Sequence, residues 1–276
     1  MQNLSQTQLR RILITGANKG IGYAIVEKLL DSQNAYNIIL TSRDPKLGQE
    51  ALKKLQTKKS QSSTTLTYQQ LDVNDEKSVQ GLIAWLEKSG DKIDVLVNNA
   101  GVNLKHADLE QRQKTIQTNY LSLVNLTEKL IPYLTEDAKV ISISSGLGAL
   151  SCQSSSLRKQ LQVSPLTGGD LQKIQENLET YYQDFRSYHP IVEASYCASK
   201  ALLNAYTRWV LPNKLGSNQQ CYSVAPGWCR TDMGGEEASL PVEAGADTPV
   251  YLIELPFVRN EKINGKVLEN RKVISF

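Results

Sequence analysis

Short runs of β-branched and other apolar residues alternate along the chain with longer segments whose apolar positions recur every three or four residues. Residues 11–15 (RILIT), 37–42 (NIILTS), 65–73 (TLTYQQLDV), 93–101 (IDVLVNNAG), 139–145 (KVISISS) and 221–227 (CYSVAPG) read as six strands. A seventh is expected at 266–270 (KVLEN). Helical patterns lie between them at 20–32, 46–59, 76–89, 109–134 and 196–215. In the first of these Ile21, Ile25 and Leu29 share a face with Ala24 beside them. Continuous apolar strands alternating with amphipathic helices predict an α/β fold with a parallel sheet covered on both faces. Residues 146–195 break this rhythm. They begin rich in Ser and Gln and turn helical over 170–188, where Leu171, Ile174, Leu178, Tyr181 and Tyr182 form an apolar stripe. The expectation is a helical insertion, packed on the remainder, within a single domain spanning 1–276.

A chain of 276 residues is long enough to bury a substantial core. Its 31 basic residues nearly balance 28 acidic ones, which gives no reason to propose nucleic acid or an acidic membrane as partner. The cysteines (Cys152, Cys197, Cys221, Cys229) form no C-x-x-C, and the only histidines are His106 and His189, so no metal site is indicated. Their dispersed spacing points to a reducing compartment. No run approaches the ~20 apolar residues of a membrane span. The segment MQNLSQTQLRR carries no apolar stretch of a secretory signal. The expectation is a soluble cytoplasmic protein.

Chemistry enters at the first strand–helix junction, TGANKGIG (Thr15–Gly22). Gly16 permits a sharp turn, Gly20 lets backbone approach a phosphate, and Gly22 allows close contact between helix and sheet. The free N–H groups and dipole of the helix then attract a pyrophosphate. After the second strand, a dinucleotide fold that takes NAD carries an acid for the ribose hydroxyls, whereas a basic group accommodates a 2′-phosphate. Here Ser42 is followed by Arg43, and Lys19 in the glycine turn adds a second cation. Two cations facing a dianionic phosphate favour NADP(H); solvated surface positions are the plain alternative for both.

The stretch ASYCASK (Ala194–Lys200) sets Lys200 four residues after Tyr196. Among the 12 Tyr this is the one with Lys at that spacing, but chance alone produces such a pair in a chain of this composition. The surrounding motifs decide the matter. TGANKGIG, LDV, NNAG, ISISS, YCASK and APGW follow one another in an order that resembles the short-chain dehydrogenases/reductases from Arg11 to Phe276. That resemblance implies a Rossmann-type doubly wound parallel sheet of about seven strands, with the helical insertion before the catalytic Tyr.

It also implies roles. Tyr196 would be the general acid and Lys200, on the same face one turn later, would lower its pKa together with the positive nicotinamide. Lys200 would also bond the nicotinamide ribose. Ser145 would hold the substrate carbonyl, a bond that strengthens as charge develops on oxygen. Asn119 would bend its helix and anchor a water-linked proton relay through Lys200. Serine-hydrolase chemistry is excluded by the lack of a G-x-S-x-G elbow and of a supported histidine. Ser142 replaces the Asn that many relatives carry before the serine pair, with little expected damage. Cofactor contacts carried over by the resemblance are Asn18, Ile21, Leu71, Asp72 (on the adenine amino group), Asn98 (beside the ribose), Ala100, Gly101, Pro226, Gly227, Cys229, Arg230 and Thr231. For NNAG as a whole a purely structural role is also open. Trp228 would wall the substrate site or pack under a loop, and 233–241 (MGGEEASLP) reads as a glycine-hinged lid.

About fifty residues separate Ser145 from Tyr196, far more than in ordinary members of the family. This matches the branch of monomeric carbonyl reductases, shared with menthone and salutaridine reductases. An insertion covering the two long helices through which ordinary members pair implies a monomer. The resemblance therefore implies an NADPH-dependent reductase of ketones, aldehydes or quinones, the pro-S hydride going to the carbonyl carbon. A dedicated biosynthetic ketone reductase or alcohol dehydrogenase is the second reading. A catalytically silent NADPH-binding regulator is the third, and intact Asn119, Ser145, Tyr196 and Lys200 argue against it.

Overall fold

The apolar runs at the centre of the sheet become strands because they are buried on both faces. The structure, a computed structural model, describes residues 9–58, 63–104, 108–186 and 192–276. His106, His189 and the last two residues of the expected helical stretch 170–188 lie outside them. The strands are β1 (Arg10–Ile14), β2 (Tyr36–Ser42), β3 (Thr65–Gln70), β4 (Ile93–Asn98), β5 (Leu134–Ile143), β6 (Gln220–Val224), β7 (Lys266–Glu269) and β8 (Lys272–Ile274). They form one sheet in the order β3-β2-β1-β4-β5-β6-β7-β8. All pairings are parallel except β7 with β8.

The sheet thus has eight strands rather than about seven. The additional strand returns through Asn270 and Arg271, whose φ values of 48° and 63° make the tight turn that a right-twisted hairpin needs. No glycine marks the turn. Asn tolerates this backbone region, and Arg271 is held in it by its N–H on Thr248 Oγ1 and its guanidinium on Asp247.

Helices α1 (Gly20–Leu30), α2 (Pro45–Lys58), α3 (Glu76–Ser89), α4 (Leu109–Ile116), α5 (Ser122–Leu130), α6 (Ser155–Leu161), α7 (Gly168–Glu176), α8 (Leu178–Tyr181), α9 (Ala194–Ala205), α10 (Val242–Gly245) and α11 (Asp247–Glu254) fill both faces. One apolar cluster joins α1, α2 and α11 to Ile12, Ile38, Val95 and Ile141 of the sheet. The other joins α3, α4, α5 and α9 to Leu13, Leu96 and Val140. The expected helix 109–134 is interrupted by a π-helical turn, Gln117–Leu121, between α4 and α5. A second π turn, Tyr206–Val210, follows α9.

The insertion packs as its apolar stripe requires. Leu171, Ile174 and Leu178 are buried in the second cluster, with Tyr181 and Tyr182 half-buried against it. Each aliphatic side chain so buried is worth about 1.5–3 kcal/mol. Thr167 and Asp170 start α7 with a reciprocal capping box. Helix α6, in the Ser- and Gln-rich part read as irregular, is started by Ser154, whose Oγ accepts from Leu157 N–H, and is held by buried Leu157 and Leu161. Among the described residues no helix is long and apolar enough to cross a membrane.

Candidate active site

The carboxyl ends of β1 to β6 open into a cavity of about 670 Å³. Arg43, Leu71 and Asp72 line it where β2 and β3 end; Ser145, Tyr196 and Trp228 line it toward β5 and β6. The glycine turn forms the wall between. Gly16 and Gly20 have φ near +60°, which disfavours any side chain there. A Cβ on Gly16 would stand 3.1 Å from Ala100 Cα, and one on Gly22 would stand 2.4 Å from Asn99 Nδ2. β1 and β4 are laced together beneath the turn. Thr15 Oγ1 accepts from the N–H groups of Asn99 and Ala100, both at 2.9 Å, and Asn99 Nδ2 donates to the carbonyls of Thr15 and Gly16.

Asn98 stands apart from the other residues of its motif. It does not line the cavity; it is buried on the other face of β4, where Nδ2 donates to Thr127 Oγ1 at 2.7 Å. Successive strand residues point to opposite faces, so the cavity receives Asn99 instead, a residue the motif reading passed over. Asn98 lies in register with Ser142, and Ser142 with Ser223, so the polar departure at Ser142 sits in a row of buried polar side chains. Gly22, Asn119 and Arg230 also stand behind the cavity wall. Arg230 pairs its N–H with Leu240 O and its guanidinium with Ala238 O. Asn18, Lys19, Gly20, Ile21, Ala100, Gly101, Pro226, Gly227, Cys229 and Thr231 all face the cavity.

The fit to a dinucleotide phosphate follows from these groups. Ser42, where an acid would serve a ribose diol, is buried and donates to Asp44 O at 2.7 Å. No carboxylate therefore occupies that place, and exposed Arg43 lines the cavity next to it. Lys19, the other expected phosphate cation, pairs with Asp232 at 2.6 Å. Asp72 Oδ1 accepts from Asn74 N–H at the mouth near β3. The shape, the glycine wall and the cations suit an elongated, phosphate-bearing ligand.

At the other end α9 carries the reactive groups. Tyr196 stands in its first turn and Lys200 one turn on, with Nζ 5.7 Å from the Tyr196 ring centroid. Both are buried. Lys200 Nζ donates to Ile143 O at 2.9 Å and Ser144 Oγ to Lys200 O at 3.3 Å, which fixes the lysine helix on β5. Ser145 hydrogen-bonds the Tyr196 side chain and accepts from Leu147 N–H. Burial pushes the Tyr196 phenol up to about 12, with the Ser145 bond pulling the other way. Burial also brings the Lys200 ammonium down to about 8. In the protein without a nicotinamide, desolvation outweighs the neighbours of Tyr196.

Asn119 occupies the centre of the first π turn. Its Oδ1 accepts from Val102 N–H and its Nδ2 donates to Val102 O, each at 2.8 Å, and to Ser199 Oγ at 3.1 Å. It ties α9 to the loop after NNAG. Around the reactive groups the wall is apolar: Leu147, Val192, Trp228 and Met233 line it with Cys152. Trp228 lines the cavity and its indole N–H donates to Gly234 O of the 233–241 loop at 3.0 Å. Leu147, Cys152 and Val192 come from the insertion, where no motif marked them.

A buried tyrosine and lysine with a half-buried serine, on one side of a glycine-walled dinucleotide cleft, define an enzyme that moves hydride to or from an oxygen-bearing carbon. The sequence profile of the short chain dehydrogenases matches residues 10–156, and the chain belongs to that family, as an oxidoreductase acting on C=O and CH–OH groups. It is similar to NADPH carbonyl reductase 3 of Rattus norvegicus, with 32% identity over 90% of this chain and 91% of the relative. NADPH carbonyl reductase 1 of Sus scrofa is also 32% identical, over 97% of this chain and 94% of that protein. Among solved structures, salutaridine reductase from Papaver somniferum superposes with a TM-score of 0.80 at 26% identity, covering 95% of this chain and 99% of that one. The NADPH-bound carbonyl reductase from chicken fatty liver gives 0.71 at 26% identity, over 97% and 99%.

Proposed function

We propose that this chain is an NADPH-dependent carbonyl reductase acting on ketones, aldehydes or quinones, with Tyr196 as general acid. The observation that carries the reading is the meeting of Ser145, Tyr196 and Lys200 at one apolar-walled end of the cleft. NADPH, when bound, supplies the hydride. Arg43 and Lys19 are the cations for its 2′-phosphate, and the similar protein of Rattus norvegicus is an NADPH carbonyl reductase. The Ser145 hydroxyl donates to the substrate oxygen, where the bond strengthens as negative charge grows. Tyr196 passes its phenolic proton to that oxygen. Lys200, charged below about pH 8, stabilises the tyrosinate left behind. Asn119 keeps α9 and the Val102 loop in register during the transfer. Leu147, Val192 and Trp228 exclude water and leave substrates to be held by apolar contact.

The test is NADPH oxidation by the purified protein against isatin, menadione and simple aldehydes, with Tyr196→Phe as the paired variant. Turnover of several substrates, lost in Tyr196→Phe, with a much lower KM for NADPH than for NADH, is the expected result. Unchanged turnover in Tyr196→Phe would overturn the assignment. The greater structural likeness to salutaridine reductase (0.80 against 0.71) supports a second reading, a dedicated biosynthetic reductase with one natural substrate. Silence across the whole panel with intact NADPH binding would favour it. The protein is proposed to be a cytoplasmic monomer. Support comes from α7, which packs on α9 and its following π turn, the surface through which ordinary relatives pair. A stable dimer in sedimentation would refute that part.

A further inference from the structure

The two cations expected to meet a 2′-phosphate are in different states. Arg43 makes no ion pair among the described residues, whereas Lys19 is bound to Asp232, 213 positions away in the loop after β6. We propose that Asp232 is a cofactor-specificity residue: its carboxylate is the resident counter-ion of Lys19 and competes with the cofactor's 2′-phosphate for that cation. The proposal rests on the NADP(H) reading above and concerns the same cleft.

The pairing is built into the backbone on both sides. Lys19 is the N-cap residue of α1, in extended conformation with φ −160°, so its side chain leaves from the glycine turn. Asp232 sits in a turn closed by Gly234 N–H on Thr231 Oγ1 at 3.0 Å and Gly235 N–H on Thr231 O at 2.8 Å. Thr231 Cγ2 would lie 3.6 Å from a Cβ on Gly20, so the loop rests on the turn itself. Lys19 and Asp232 both line the cavity. The Lys19 ammonium and its hydrogen bond hold the Asp232 carboxyl below the usual carboxylate range, so it is ionised at neutral pH.

A dianionic phosphate brought to Lys19 must displace this carboxylate. A ligand without the 2′-phosphate leaves the pair intact. Asp232 therefore lowers affinity for the phosphorylated ligand alone, by the modest amount an exposed pair supplies. With side-chain exposures of 66% and 77%, both groups are well hydrated and neither supports the fold.

Calorimetric titration with 2′,5′-ADP and with 5′-AMP isolates the 2′-phosphate without any turnover. Asp232→Asn is expected to tighten 2′,5′-ADP by about two- to fivefold and leave 5′-AMP unchanged. The gain should shrink as salt is raised, and should vanish in a Lys19→Ala background. Unchanged or weaker binding of 2′,5′-ADP in Asp232→Asn overturns the proposal. So does an equal gain for 5′-AMP, or a gain that survives loss of Lys19. If the parent protein binds the two nucleotides equally, the NADP(H) reading falls and the proposal with it. If the parent prefers 2′,5′-ADP and Asp232→Asn changes nothing, the proposal alone falls.

Discussion

Gly22→Ala puts one methyl group where the glycine turn, β1 and β4 meet. The new Cβ would stand 2.4 Å from Asn99 Nδ2 and 2.9 Å from both Ala17 Cα and Gly16 O. Two of those three are backbone, so the side-chain amide of Asn99 must give way. That amide donates to Thr15 O at 2.8 Å and Gly16 O at 3.0 Å. Overpacking at a tight site costs about 1–3 kcal/mol, and each lost hydrogen bond adds about 1 kcal/mol. A destabilisation of roughly 3 kcal/mol is expected, which at about 2–4 °C per kcal/mol lowers Tm by ~6–12 °C. Dinucleotide affinity should fall as well, because Gly16 and Gly20 lose their seating. Gly81→Ala is the control. It lies inside α3 with nothing within 4 Å of the added Cβ, and should stabilise by about 0.5–1 kcal/mol through helix propensity. Scanning calorimetry with a nucleotide titration reads both variants. If Gly22→Ala melts within the roughly ±0.5 kcal/mol of an ordinary surface change, the contact argument fails.

Three further outcomes follow from buried or paired charges. Lys139 is wholly buried and donates to the carbonyls of Leu252, Ile253 and Leu255 at the end of α11, so Lys139→Met should destabilise by about 3 kcal/mol in chemical denaturation. Asp247 is held well below the usual carboxylate range by Arg271 and then Lys28; its folded value is depressed, so its stabilisation is full above about pH 4 and lost as pH falls. Asp247→Asn should therefore cost stability at pH 7, and the difference from the parent should close on acidification below that range. Lys200, brought down to about 8 by burial, loses its charge above that pH, so carbonyl reduction should hold level below it and decline above; a rate level to pH 10 would contradict the role given to its charge.

The strand–helix alternation and the glycine turn were legible because each rests on local rules, side-chain periodicity and backbone φ. The start of β5 was not. The apolar run reads from Lys139; the strand begins at Leu134 and takes Lys139 inside. Its ammonium is satisfied by three carbonyls more than a hundred residues away, which no local pattern encodes. Strand β8 hid for a related reason: its turn holds positive φ at Asn270 and Arg271 through Asp247 and Thr248 rather than through glycine. Asn98 and Asn99 were legible in principle. Leu96 packs in one apolar cluster and Val97 in the other, so parity along β4 already sends Asn98 away from the cleft wall that Asn99 joins. The apolar wall of the cavity was beyond reach, because Leu147, Cys152 and Val192 are placed by the path of the insertion and belong to no motif.

The π turn at Gln117–Leu121 shows why such failures gather at the site. A π turn has no composition signature, so QTNYL reads as plain α-helix. Its wider turn buries Thr118, Asn119 and Tyr120 in succession, which a regular amphipathic helix with one apolar face does not do. Tyr120 joins the apolar cluster, while Asn119 is free to pair both its amide groups with the Val102 backbone. The cost is helical hydrogen bonding. The return is an asparagine that bonds Ser199, the neighbour of Lys200, from a position a straight helix would have filled with an apolar side chain. Local regularity is given up where a buried polar contact is needed. The same logic lets Lys200 be buried on Ile143 O rather than on a carboxylate: a paired acid would have held its charge but neutralised the field on Tyr196.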